Sequence, residues 1–104
     1  LVTSPGDTAF APPEADPTDL SRRDAPRRIF ARLARQRRRF PGTALTVEHL
    51  ADVGWPGADL DEQTARSRVY AAISTLRDLG LRDILLTVDA GYLLTPEVRL
   101  VARA

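Results

Sequence analysis

Apolar positions along the chain follow first one period and then another. Ile29, Phe30, Leu33 and Ala34 recur at helical spacing, leaving arginines on the rest of the surface. Pro26 suits the first turn of such a helix, with Asp24 as N-cap, and "FPGTA" stops it near Arg38. A second, short helix is expected behind the N-cap Thr46. Val47, Leu50 and Ala51 form its inner face, and "GWPG" (Gly54 to Gly57) breaks it. An acidic loop, Ala58 to Gln63, leads into a third helix from about Glu62 to Leu79, whose core stripe is Ala65, Val69, Ala72, Ile73, Leu76 and Leu79. Gly80 fits a left-handed C-cap, with Leu81 packing back. The pattern then turns to β-type runs at Ile84 to Val88 and Tyr92 to Thr95. Asp89 to Gly91 reads as a three-residue hairpin loop, and Pro96 ends the second strand.

Ahead of the first helix the periodicity is lost. Pro5, Pro12, Pro13 and Pro17 punctuate residues 1–19, and proline lacks the N–H that a central strand uses. This stretch reads as a linker, with at most short edge strands near Thr8–Phe10 and Thr18–Leu20. Residues 20–104 form the folded domain, and no internal repeat is present.

The chain has 104 residues and is 43% apolar, enough for one small globular domain. It has no cysteine and one histidine, His49, which removes disulfides, thiolate chemistry and any obvious metal site. Asp59, Asp61 and Glu62 lack a base or nucleophile partner, so no enzyme, cofactor or small-molecule substrate is expected. No apolar run is long enough to span a membrane, and no secretory signal is visible, so a cytoplasmic location is expected. A chain opening on Leu1 is expected to be the tail, or a trimmed piece, of a longer protein.

Net charge is only +1, yet it is unevenly spread. Residues 1–21 hold four carboxylates and no arginine; residues 22–39 hold nine arginines and one aspartate; residues 40–104 hold six arginines and nine carboxylates. One strongly basic block therefore sits in an otherwise acidic chain.

Helix, short helix, loop, long helix and hairpin is the order of a winged helix-turn-helix. The third helix carries Val69 and Ile73-Ser74-Thr75-Leu76-Arg77, and the hairpin Thr87-Val88-Asp89-Ala90-Gly91-Tyr92-Leu93-Leu94. These resemble the patterns "V-x-x-x-I-S-x-L-R" and "T-V-x-x-x-G-Y-x-L" of the C-terminal effector domain of OmpR/PhoB-type response regulators. Trp55 looks like the family's tryptophan near the end of the second helix. The resemblance covers about Thr18 to Thr95. It implies an α+β, mainly α fold: three helices, then a C-terminal hairpin wing, with possible short N-terminal strands.

It also implies the DNA-binding effector domain of a bacterial transcriptional regulator, with double-stranded DNA as partner. The third helix would enter the major groove through Arg66, Ser67, Arg68, Tyr70, Ala71, Ser74, Thr75 and Arg77. Arg37, Arg38, Arg39, Thr46 and Trp55 would meet phosphates, with Arg35 in the same block. Thr87, Asp89, Gly91 and Tyr92 would form the wing. Trp55 and Tyr92 also read as packing residues beside Val69, Ile73 and Leu76. Three departures stand out. The hairpin is one residue shorter before Gly91, Asp89 stands where the family places a basic residue, and Ser74 and Thr75 stand where basic residues are common. The outer helix face, Ser67, Ala71, Ser74 and Asp78, offers no bidentate arginine for guanine. The neutral helix face and Asp89 favour the alternative, a winged helix that docks on another domain of its parent protein or on transcription machinery, whereas the basic block and the resemblance favour DNA, the leading expectation.

Overall fold

The computed structural model describes residues 2–3, 9–11, 18–19, 24–97 and 101–102. Three helices followed by an antiparallel hairpin form a mainly helical α+β, winged-helix-like layout. Helix α1 spans Asp24–Arg39 and buries the expected stripe of Ile29, Phe30, Leu33 and Ala34. Asp24 lies inside its first turn rather than capping it, and its carboxylate takes Arg27 Nη2 at 3.5 Å.

Helix α2 spans Val47–Gly54 and is capped as expected: Thr46 Oγ1 accepts the His49 N–H at 3.1 Å. Helix α3 spans Glu62–Leu76, and Asp61 is its N-cap, accepting the Thr64 N–H at 2.7 Å. The sequence predicts this helix to Leu79, but regular turns stop at Leu76 and a wide turn, Arg77–Leu81, follows. Gly80 has φ 124°, so the chain leaves the helical region before Leu81 drops into the core.

Strands β4 (Leu85–Val88) and β5 (Gly91–Leu94) form the hairpin. Val88 pairs with Gly91, so the loop is the two residues Asp89 and Ala90, not three. The reason is the segment between α1 and α2. Leu45 exchanges two backbone hydrogen bonds with Tyr92, of 2.8 and 2.9 Å, and runs alongside β5. A Cβ on Gly91, whose φ is 143°, would lie 2.0 Å from the Leu45 carbonyl oxygen. Glycine here lets three segments meet, and so belongs to the strand.

The core joins α1, α2, α3, Leu45 and the hairpin. Val69, Ile73, Leu76 and Tyr92 are buried in it, while Trp55 packs at its edge, partly buried. In a second sheet, β1 (Val2–Thr3), β2 (Ala9–Ala11), β3 (Thr18–Asp19) and β6 (Val101–Ala102) pair in the order β3-β2-β1-β6. Strands β2 and β3 overlap the two expected edge strands, of which Thr8 and Leu20 lie outside the described residues. Strand β6 runs parallel to β1, a pairing between the two ends of the chain. Among the described residues no helix is long and apolar enough to cross a membrane.

Candidate interaction face of the third helix and hairpin

Helix α3 presents Arg66, Ser67, Arg68, Tyr70, Ala71 and Ser74 to solvent, with Thr75 and Arg77 half-buried. Beside this face runs a groove walled by three elements. Thr46, Val47 and Glu48 come from the start of α2, Arg66 and Tyr70 from α3, and Thr87 to Tyr92 from the hairpin. The fold thus gathers Thr46, Arg66, Tyr70, Thr87, Asp89, Gly91 and Tyr92 at one place. Tyr70 is 48% exposed and Val88 40%, large for apolar groups on a small domain. Tyr70 meets Tyr92 edge to face, with ring centres 6.5 Å apart.

A second groove continues from the first, sharing Val47, Glu48 and Arg66. It lies between α2 and α3 and is also lined by Ala51, Asp52, Trp55, Leu60, Glu62 and Ala65. Leu60 sits in the loop that the sequence marks as acidic, and spacing alone gave no sign of its place in the groove.

The arginines on and around this face are engaged with the protein itself. Arg77 donates from Nε and Nη2 to the Leu85 carbonyl at 3.2 and 2.9 Å, and from Nη2 to Thr87 Oγ1 at 2.7 Å. Its guanidinium also lies 5.8 Å from the centre of the Tyr92 ring. It straps the end of α3 to β4. Arg66 pairs with Glu62 at 2.9 Å, and Arg68 lies 5.8 Å from the centre of the Trp55 ring. Arg37 donates to the Thr95 and Pro96 carbonyls at 3.2 and 3.0 Å. That places Arg37 at the base of the hairpin, five residues and roughly 17 Å of strand away from Ala90 at its tip. Arg38 and Arg39 are exposed on the same last turn of α1.

Electrostatics follow from this placement. Residues 46–94, which hold α2, α3 and the hairpin, carry four arginines against eight carboxylates. Glu48 and Asp89 stand at the two sides of the helix–hairpin groove. The Thr64 backbone N–H and hydroxyl hold the Asp61 carboxyl below its ordinary value, so the α3 cap stays charged. Burial, and secondarily Tyr70, push the Tyr92 hydroxyl up against the opposing pull of Arg77, which keeps it a neutral donor.

Comparison with protein-family models, curated proteins and solved structures finds no match to this chain.

Proposed function

We propose that this winged helix docks on a protein, either another domain of its parent chain or a component of the transcription machinery, through the face made by α3 and the hairpin. The observation that carries this reading is the sign of the charge there. Duplex binding draws its affinity from cations that neutralise phosphates. On this face Arg66 is ion-paired, Arg68 lies against Trp55, and Arg77 is spent on β4. Glu48 and Asp89 would confront phosphates on either side of the groove. Exposed Tyr70 and Val88 suit a protein surface, where aromatic groups anchor contacts.

A second reading, the DNA-binding effector domain of a bacterial transcriptional regulator, is favoured by the outer face of α3. Ser67, Ala71 and Ser74 are exposed beside the hairpin, and hydroxyl and methyl groups of that kind contact base edges. The OmpR/PhoB resemblance points the same way, although a fold hosts many functions.

A labelled duplex titrated with wild type and with Glu48→Arg/Asp89→Arg, at about 50 and about 200 mM salt, separates the two. The docking reading expects no saturable binding by wild type and salt-sensitive binding gained by the double variant. Wild-type binding that falls steeply with salt would overturn docking and establish the DNA reading.

A further inference from the structure

We infer that the groove between α2 and α3 receives a basic, amphipathic segment of the partner, with apolar side chains on Trp55 and Leu60 and cations against Glu48 and Asp52. This occupant presupposes the docking reading above and adds the chemistry and place of the contact.

The groove exists because α2 is short. After eight residues the chain turns out through Gly54 to Gly57, and the returning loop lines the α2–α3 junction with Ala58 and Leu60 without filling it. Trp55 is left half-buried at the edge of the core. The space is about 290 Å³, at the small end for a ligand pocket, and it is open along one side. Such a trough takes a few side chains projecting from one face of a segment, as when an amphipathic helix lays its anchors into a groove.

Charge selects the sign of that segment. Glu48 and Asp52 are exposed one helical turn apart on α2, a spacing at which like charges disfavour the helix. Neither has an ion-pair partner among the described residues, whereas Glu62 across the groove is taken by Arg66 at 2.9 Å. Arginine or lysine from a partner would relieve the α2 pair. An acidic segment would add to the repulsion.

Trp55 is the only tryptophan of the chain, so its emission reports on the groove directly. The probe is a synthetic helical peptide with leucine at i, i+3, i+4 and i+7 and arginine on the flanks. Its controls replace every arginine by glutamate, or scramble the leucine spacing. The arginine peptide should shift Trp55 emission saturably. Glu48→Lys/Asp52→Lys should weaken it about tenfold, as expected for two ordinary exposed charge pairs. Asp83→Lys, which reverses one charge on an exposed turn outside the groove, should weaken it much less than Glu48→Lys or Asp52→Lys alone. Circular dichroism of each variant reports that the fold is kept.

Equal binding of the scrambled peptide would overturn the groove in favour of general charge attraction. Preference for the glutamate peptide would overturn the partner's sign while leaving docking in place. No response to any peptide overturns this inference alone; the duplex titration decides the docking reading separately. Self-association that vanishes in the Glu48→Lys/Asp52→Lys variant would seat a second copy's arginine-rich α1 there and displace the partner.

Discussion

Single residues decide how the hairpin is held. Gly91 is a point with no room for a side chain, because the Leu45 carbonyl occupies the space one would need. Gly91→Ala should push Leu45 away, break its two bonds to Tyr92, and destabilise the protein by more than the roughly 1 kcal/mol typical of single substitutions. A denaturant midpoint within error of wild type would show that the three segments separate without loss. Ile73 is 2% exposed in the centre of the core. Ile73→Ala should cost about 2–5 kcal/mol, since the surrounding helices cannot fully close the space. An unchanged midpoint would mean that this face of α3 does not point inward.

At the scale of elements, the helices were the most readable part of the sequence. Ile29, Phe30, Leu33 and Ala34, and again Val69, Ala72, Ile73 and Leu76, repeat at the helical period because one stripe of each helix is buried. The ends were harder to place. Pattern cannot show that regular turns stop at Leu76, because Leu79 keeps the apolar spacing inside the wide turn that follows. Nor can it place Gly91 in a strand, since the reason is Leu45, far away in sequence. Strands β1 and β6 are two residues each, too short to leave a period. The site was legible as a list of residue types on α3 and the hairpin. It was not legible as a charged surface, because the partners of Arg37 and Arg77 are backbone carbonyls that any sequence supplies.

The start of α3 also has a pH dependence whose sign is set by its cap. The folded Asp61 carboxyl lies below its ordinary value of 3.8, so its contribution is present above that pH and fades as pH falls through the lower folded value. Asp61→Asn keeps an acceptor for the Thr64 N–H but removes the titration. Urea midpoints at about pH 5 and about pH 3 should therefore drop more for wild type than for the variant. Equal drops would mean that the cap charge does not hold the helix.

For the whole molecule, what matters is how separate copies meet. β4 pairs with β5 on one side and, among the described residues, with nothing on the other. Thr95 bonds to the Ile84 carbonyl at 2.8 Å, so the alternation of an antiparallel ladder turns the backbone groups of Leu85 and Thr87 outward, with Leu86 and Val88 exposed nearby. An open strand edge flanked by apolar side chains is a template on which another chain can add as a strand. Arg77 occupies the Leu85 carbonyl and so places a charge where the next strand would bond. The residue that straps α3 to the hairpin should thus also guard against fibril growth. Arg77→Met, which keeps the length and loses the charge and the fork, should leave the helices intact. On warming it should form thioflavin-positive aggregates sooner than wild type; aggregation at the wild-type rate would show that the edge is protected by something other than this guanidinium.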